Sequence, residues 1–207
     1  MARIDFPYPG IAGADIPDAN LTAILEPRAT PPAAEDDTAE VRRAMSSPIG
    51  TPRLRDMAPR GGSVLILIDD NTRNTPADRI LPLLLEELEQ SGVAPKDVTI
   101  MIALGTHRPM TREETERKVG RAILETCRIV EHRWDRPDGL VRLDDTEGGN
   151  GVWVNKILLS SDLVIGLGHI TPHRVAGLSG GSKIVQPGVS GGLTTGQTHW
   201  ISAPYER

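Results

Sequence analysis

Three continuous apolar runs, each about the length of a strand, constrain the fold of this chain most strongly. They are Val64–Ile68, Val98–Ala103 and Leu163–Gly166. A run without polar alternation is typical of a strand buried on both faces of a parallel sheet. Between the first two runs, residues 77–90 carry leucines at helical spacing and are followed by Gly92, a residue that often ends helices. We therefore predict an α/β fold with a mostly parallel central sheet and flanking helices.

The first 60 residues differ from the rest of the chain in composition and in hydrophobic patterning. Nine of the 17 prolines lie there, and residues 26–37 have no periodic apolar face. We expect residues 1–60 to form an irregular N-terminal arm and connector that pack on a main domain of residues 61–207. Within the main domain, two short segments around Glu147–Asn150 predict a β-hairpin insertion, over Leu140–Asp145 and Gly151–Asn155. Thr111 and Glu114 have the spacing of a helix-opening capping box.

Composition excludes several classes of protein. The single cysteine, Cys127, excludes an internal disulfide framework and a cysteine-cluster metal site, and we expect it to be buried and inert. The net charge is −5 and no cluster of Lys and Arg is visible, so no nucleic-acid partner is expected. No apolar run is long enough to cross a bilayer, and the N-terminus lacks a secretory signal. We expect a cytoplasmic protein without membrane contact.

Polar motifs follow each of the three apolar runs. They are Asp69–Arg73, Gly105–Arg108 and Gly168–His173. Ligands of open α/β sheets bind outside the carboxyl ends of the strands, so we expect these motifs to meet in one pocket. Asp70 and Arg73 could form only a turn ion pair, or the arginine fork could bind an anion or carboxylate.

The histidines are concentrated in these loops. A single histidine is usually a surface or core residue, but His107, His169, His173 and His199 all lie in strand-end or glycine-rich segments. This distribution favours metal binding or proton transfer. We expect the fifth, His132, to lie at the surface.

Glycine is concentrated in the C-terminal part, where twelve of the 21 glycines lie between positions 148 and 196. The stretch Gly177–Lys183 is either a structural turn or a loop whose amides hold an anion. It does not match a P-loop, because Ser182 and Ile184 flank Lys183 where that motif needs Gly and Ser or Thr. A phosphate- or nucleotide-binding hydrolase is therefore a weak alternative.

Taken together in order, these motifs resemble the N-terminal domain of the nickel-dependent lactate racemase family. The resemblance is carried by four segments: Ile16–Leu21, Asp70–Arg73, Gly105–Thr111 and, most specifically, Asp162–Ala203. It implies a cofactor-binding domain and an isomerase that racemises or epimerises 2-hydroxy carboxylic acids such as lactate. The implied cofactor is a nickel pincer nucleotide, pyridinium-3,5-bisthiocarboxylate mononucleotide with bound nickel. Enzymes that synthesise this cofactor would be partners for loading.

The resemblance also implies roles for individual residues. Lys183 would form the thioamide tether to the cofactor, and His199 would be the nickel ligand. His107 and His173 would be the paired acid and base, one for each substrate enantiomer. Four loop residues would contact the cofactor: Asp70, Asn71, Thr72 and Arg73. Arg73 would also bind the substrate carboxylate.

The chemistry of the substrate is compatible with this assignment. The carboxylate of a 2-hydroxy acid opposes a second negative charge, so direct removal of the Cα proton is a poor route to racemisation. Hydride removal avoids that charge, and an electron-poor pyridinium can accept the hydride. Known family members continue into a second domain that closes over the site, whereas this sequence ends at Arg207. The chain is expected to be a fragment, or to receive the second domain from a separate chain, or to be a cofactor-binding module without efficient turnover.

Overall fold

The structure is a computed structural model that describes residues 1–6, 8–25, 36–173 and 175–203. The chain divides into two compact units, Met1–Glu35 and Asp36–Arg207.

The first unit contains a short antiparallel ladder. Strand β1 (Ala2–Ile4) pairs with β2 (Ala14–Ile16), and a 3₁₀ turn follows. The amino group of Met1 donates to Asp18 Oδ2 at 2.7 Å. The N-terminal arm is thus regular over these few residues, while most of the connector expected over residues 26–37 lies outside the described part of the chain.

The second unit alternates strands and helices. In chain order, its strands are β3 (Val64–Ile68), β4 (Val98–Ile102), β5 (Arg128–Glu131), β6 (Leu140–Arg142), β7 (Trp153–Asn155), β8 (Leu163–Leu167), β9 (Pro172–His173) and β10 (Gly177–Leu178). Its helices are α1 (Asp37–Ser46), α2 (Leu54–Met57), α3 (Ala77–Ser91), α4 (Arg112–Val119), α5 (Arg121–Thr126) and α6 (Gly192–Ser202). No helix among the described residues is both long and apolar enough to cross a membrane.

The boundary between the two units differs from the one at residue 60 that the sequence indicates. Helices α1 and α2 belong to the second unit because both pack on α3. Met45 and Leu54 contact the buried core, and Arg42 forms a salt bridge with Glu86 at 2.6 Å. Proline-rich composition marks the loops around these helices but does not reveal that Met45 and Leu54 are partly buried against the core of the main unit.

The central sheet has the predicted parallel architecture. Four strands lie in the order β5-β4-β3-β8, and every neighbouring pair is parallel. The register aligns Ile66 with Ile100 on one side and with Ile165 on the other. All four strands therefore end at the same edge of the sheet. The α/β prediction is confirmed, and the predicted hairpin is the antiparallel pair β6 and β7.

Strand β3 is buried on both faces, as predicted. On one face Ile66 and Ile68 pack with Leu81 and Leu88 of α3, and on the other Leu65 packs in a second apolar cluster. Burying one such side chain contributes about 1.5 to 3 kcal/mol. The continuous apolar run follows from this sandwiching, since neither face of the strand meets water.

The prediction that residues 163–166 form a strand buried on both faces is wrong. Strand β8 is only partly buried, and Val164 is 38% exposed. Among the described residues, β8 pairs with β3 alone, so it is the outer strand of the sheet. An apolar run by itself does not distinguish a central strand from an outer one.

Local sequence signals agree well with the helix ends. Thr111 and Glu114 form the predicted capping box at the start of α4. Gly92 caps α3 in the left-handed conformation, with φ of 91°, where a side chain would be strained. Cys127 is buried, as expected, and burial raises the pKa of its thiol.

The expectation that His132 lies at the surface is wrong. The side chain is fully buried, Nε2 donates to the carbonyl oxygen of Ser190 at 2.9 Å, and Asn155 Nδ2 donates to Nδ1 at 3.2 Å. Burial lowers the pKa of this imidazole. The neighbouring arginines suggested solvent exposure. The His132 amide instead donates to the carbonyl oxygen of Ile102, which extends the pairing of β5 with β4 by one residue.

A buried ion pair joins α4 to the end of β3. Lys118 Nζ donates to Asp69 Oδ1 at 2.7 Å and to the carbonyl oxygens of Arg73 and Thr75 at 3.0 and 3.2 Å. Thr75 Oγ1 donates to the other carboxylate oxygen of Asp69. One ammonium therefore uses its three donors to hold the loop that follows β3.

We predict that Lys118→Met lowers the free energy of unfolding by about 3 kcal/mol, because it leaves the Asp69 carboxylate buried without its counter-ion. Urea unfolding followed by circular dichroism measures this change. Arg121→Met is the matched control, since its salt bridge with Glu116 is exposed and should contribute little. Equal stability of the two variants would contradict the assignment of Lys118 as the anchor of the loop.

Candidate functional site

The segments after β3, β4 and β8 line one cavity of about 240 Å³, here called the strand-end cavity. Six of the eight predicted site residues lie in its wall: Asp70, Arg73, His107, His173, Lys183 and His199. The other two, Asn71 and Thr72, do not line it. His169 lies in the wall as well, with the backbone of Gly105, Gly168, Gly180 and Gly188.

Asp70 and His107 form a hydrogen-bonded pair in this wall. The Asp70 carboxylate is nearly buried and lies 2.6 Å from His107 Nδ1, while half of the His107 side chain is exposed. Burial alone would raise the pKa of Asp70, but hydrogen bonds from Thr72 and His107 outweigh it and keep that pKa below its usual value. An ionised Asp70 can only accept, so Nδ1 of the neutral imidazole carries the proton and Nε2 keeps its lone pair.

The loop residues next to Asp70 have structural partners. Thr72 donates to Asp70 Oδ1 through its amide at 3.1 Å and its hydroxyl at 2.5 Å, and Asn71 Nδ2 donates to Glu114 Oε1 at 2.9 Å. Arg73 is exposed, and within the described residues its guanidinium forms no salt bridge. The turn ion pair between Asp70 and Arg73 is absent there, so the arginine fork is available to an anion.

His173 and Lys183 are in direct contact. His173 lies in β9, and Lys183 lies in the 3₁₀ turn after β10. His173 Nε2 is 3.0 Å from Lys183 Nζ, and the amides of Val175 and Ala176 both donate to His173 Nδ1 at 3.2 Å. Burial lowers the pKa of Lys183, and the positive charge of Arg73 lowers it further.

His199 lies on α6 and is oriented by its own helix. Its Nδ1 is 2.7 Å from the carbonyl oxygen of Thr195, one turn earlier. Because a carbonyl oxygen only accepts, Nδ1 carries the proton and Nε2 keeps its lone pair. A neutral imidazole nitrogen of this kind can bind a metal ion.

Close approach of backbone shapes the cavity wall. A Cβ at Gly188 would lie 2.0 Å from the carbonyl oxygen of Ile184, and one at Gly180 would lie 2.9 Å from Ile170 Cγ1. Gly180 also has φ of 75°. Only glycine fits at these two positions, because neighbouring protein atoms occupy the place of a side chain.

A family model described as the lactate racemase N-terminal domain matches residues 10–206. The chain belongs to this family. It is 34% identical to a lactate racemase of Thermoanaerobacterium thermosaccharolyticum and 33% identical to one of Lactiplantibacillus plantarum, in each case over the whole chain. The chain spans about half the length of these curated relatives.

Solved structures agree with the family. The lactate racemase apoprotein of T. thermosaccharolyticum superimposes with a TM-score of 0.84 at 32% identity, covering all of this chain and 49% of that one. A protein of Thermotoga maritima, 23% identical, superimposes with a TM-score of 0.68 over 82% of this chain and 42% of its own, and shares the fold. The α/β architecture described above is thus that of a lactate racemase N-terminal domain.

The described side chains do not form a metal-binding cluster of their own. Among the described residues, no three His, Cys, Asp or Glu side chains lie close enough to hold a metal ion together. A metal ion at His199 Nε2 would need further ligands from outside this set of side chains. Lys183 and the backbone of four glycines lie in the same cavity wall as His199.

Several residues that shape the site were missed by sequence reasoning. The backbone carbonyl of Thr195 orients His199. Because every residue within a helix has a carbonyl oxygen four positions earlier, no sequence signal could have identified it. Lys118 holds the loop after β3, and its position on an otherwise charged, amphipathic helix gave no sign of burial. Ser179 Oγ donates to His169 O at 2.6 Å and accepts from the amide of Thr171 at 2.8 Å, which braces the loop between β8 and β10.

We predict that the buried and cavity histidines hold two different tautomers at about pH 8. His107 and His199 should carry the proton on Nδ1, and His132 and His173 on Nε2, because of the hydrogen-bond partners described above. Long-range ¹H–¹⁵N correlation spectra of the chain measure this directly. In Asp70→Ala, His107 alone should lose its preference; a change at all four rings, or none, would contradict the partner assignments.

The depressed pKa of Asp70 also predicts an acid dependence of stability. A carboxylate whose pKa is lowered on folding contributes stability above its unfolded pKa of about 3.9, and this contribution is lost as the pH falls through the folded value. As the pH falls from about 3.9 through the folded pKa of Asp70, the free energy of unfolding should therefore decrease less in Asp70→Asn than in the parent chain. Urea unfolding at several pH values tests this, with Asp138→Asn as the exposed control. Parallel acid profiles for the parent chain and Asp70→Asn would contradict it.

Proposed function

We propose that this chain is the cofactor-holding half of a racemase or epimerase that acts on 2-hydroxy carboxylic acids such as lactate. The observation that carries the proposal is the pair of histidines in the strand-end cavity. His107 offers a lone pair at Nε2, and His173 offers a proton at Nε2. Membership of the lactate racemase N-terminal domain family supports the same reaction class.

Racemisation needs one group that accepts a proton and another that donates one. The substrate hydroxyl must lose its proton when the planar 2-keto acid forms, and the keto oxygen must regain one when the hydroxy acid is restored. His107 Nε2 is suited to accept the first proton, with the Asp70 carboxylate stabilising the imidazolium that results. His173 Nε2–H is suited to supply the second. After this turnover His107 holds an extra proton and His173 lacks one. In the reverse direction His173 takes the hydroxyl proton and His107 returns one, and proton exchange with solvent restores the resting forms of both rings.

Arg73 is suited to orient the substrate. Its exposed guanidinium lies in the cavity wall, and Lys118 holds the backbone of its loop through the carbonyl oxygen of Arg73 at 3.0 Å. A guanidinium fork matches the two oxygens of a carboxylate. The substrate would thereby be held with its hydroxyl-bearing carbon between the two histidines.

We further propose that the site binds a nickel pincer nucleotide, which when bound supplies a hydride acceptor. Lys183 Nζ would tether it and His199 Nε2 would ligate the nickel. Asp70 and Arg73 would contact it at the end of β3. Asn71 and Thr72 do not line the cavity and would hold the loop in shape through Glu114 and Asp70. Enzymes that build the cofactor are the expected partners for loading.

The alternative is a cofactor-binding module without efficient turnover. This alternative rests on the same strand-end cavity, whose wall includes Lys183 and His199. This alternative keeps the roles of Lys183 and His199 but assigns no steady-state reaction to His107 and His173.

The test is to produce the chain together with cofactor-synthesis enzymes and to supply the C-terminal half of a relative as a separate polypeptide. Intact-mass analysis should show an adduct that is lost in Lys183→Ala and kept in Lys156→Ala, whose side chain is exposed. His199→Ala should keep the adduct but bind less nickel. His107→Ala should keep the adduct and lose racemisation of D- and L-lactate by about 10² to 10⁴-fold, as expected for removal of a general base.

The outcomes separate the two functions. Adduct and nickel without exchange of enantiomers would support the non-catalytic module. An unmodified mass with no bound nickel would overturn both, and full racemisation by His107→Ala would remove the two-histidine argument.

A further inference from the structure

The turn between β9 and β10 determines which nitrogen of His173 carries a proton. The amides of Val175 and Ala176 both point at Nδ1, each at 3.2 Å. A nitrogen that accepts two N–H groups must have its lone pair free, so it is not protonated. In the neutral ring the proton is therefore on Nε2, and that nitrogen is a donor.

The amine of Lys183 is the group that faces this donor. Its Nζ is 3.0 Å from Nε2, within hydrogen-bond distance. An ammonium group has three donors and no lone pair, so it cannot accept from Nε2–H. The contact is a hydrogen bond only when Lys183 is a neutral amine, and the main-chain amides at the far side of the ring therefore bias the lysine toward that form.

The surroundings of Lys183 favour the same form. Burial and the nearby positive charge of Arg73 both lower its pKa. The titratable and charged side chains that share the strand-end cavity are Asp69, Asp70, Arg73, His107, His169, His173 and His199. Both carboxylates among them are already engaged, Asp69 by Lys118 and Asp70 by Thr72 and His107. Among the described residues, Lys183 forms no salt bridge that would stabilise an ammonium.

We propose that His173 is a positioning residue that holds Lys183 as a neutral, nucleophilic amine before any cofactor is bound. The lone pair of a neutral amine can bond to an acyl-type carbon, which then loses its leaving group while the nitrogen releases one proton to solvent. An ammonium would have to lose a proton before this bond could form, so the neutral form suits a lysine that becomes covalently attached. The proposal deepens the proposed tether and rests on the proposed function for the identity of the electrophile. The reactivity itself belongs to the cofactor-free chain.

This arrangement gives His173 two successive uses. While Lys183 is a free amine, its lone pair accepts the hydrogen bond from Nε2–H of His173. Once the nitrogen is acylated, its lone pair is delocalised and no longer accepts well, so Nε2–H becomes available to a substrate oxygen. Attachment at Lys183 would thus release the group that the proposed reaction needs.

The experiment is competitive trace acetylation of the cofactor-free chain with acetic anhydride, between about pH 6 and pH 10. In each event the amine nitrogen bonds to a carbonyl carbon, and acetate and one proton leave. Peptide mass spectrometry then compares the four lysines of the chain. Lys96 and Lys156 are exposed references, and Lys118 is a buried reference held in an ion pair.

We expect Lys183 to react about tenfold faster than the exposed lysines near pH 7 and to reach its plateau at lower pH. His173→Phe should remove about tenfold of this rate, the effect of one lost hydrogen bond, and move the profile toward that of Lys96. His173→Gln should restore most of it, since its amide N–H can donate to the amine. Lys118 should react slowest throughout.

An ordinary pH profile for Lys183 in the parent chain would overturn the proposal without any variant. So would His173→Gln behaving like His173→Phe while both remain folded by circular dichroism. Adduct formation with an ordinary Lys183 profile would refute this inference and leave the proposed function standing. A reactive Lys183 without adduct or nickel would do the reverse.

Discussion

Parallel pairing of β3 with both β4 and β8 is the constraint on which the rest of the structure depends. Parallel neighbours require crossover connections, so the chain returns to the same edge before each strand begins. The carboxyl ends therefore meet at the opposite edge, although the residues that follow them are far apart in sequence. Asp70, His107 and His173 reach one cavity for this reason.

Hydrogen bonds at Nδ1 of each histidine determine what its Nε2 presents to the cavity. An imidazole presents either a proton or a lone pair at Nε2, depending on what its Nδ1 contacts. A carboxylate at His107 and a carbonyl oxygen at His199 leave lone pairs at Nε2, whereas main-chain amides at His173 leave a proton. Three residues of one type thus present different groups at Nε2, a lone pair at His107 and His199 and a proton at His173, and these differences are what the proposed roles use.

The two buried or half-buried lysines show the same principle for amines. Lys118 contacts a carboxylate and two carbonyl oxygens, which together stabilise an ammonium. Lys183 contacts an imidazole N–H and lies near a guanidinium, and both neighbours disfavour an ammonium. The first lysine is a structural anchor for the loop after β3, and the second is the candidate attachment point. Their different surroundings follow from the fold rather than from residue type.

By itself, the sequence determined the elements and their class. Apolar runs, helical spacing, the capping box at Thr111 and the glycine stop at Gly92 are local patterns, and local backbone physics is sufficient to read them. The candidate residues of the cavity were also identified from motif order and family resemblance. The sequence did not show that β8 is an outer strand, that α1 and α2 belong to the main unit, or that His132 is buried.

Tertiary structure decided those points because each depends on a neighbour distant in sequence. The same holds for the protonation pattern of the site. The Asp70 contact with His107 spans 37 positions and the Lys118 contact with Asp69 spans 49, and no periodicity encodes either. Residue type supplied the possible chemistry at each position, and long-range hydrogen bonding selected which form of each side chain faces the cavity.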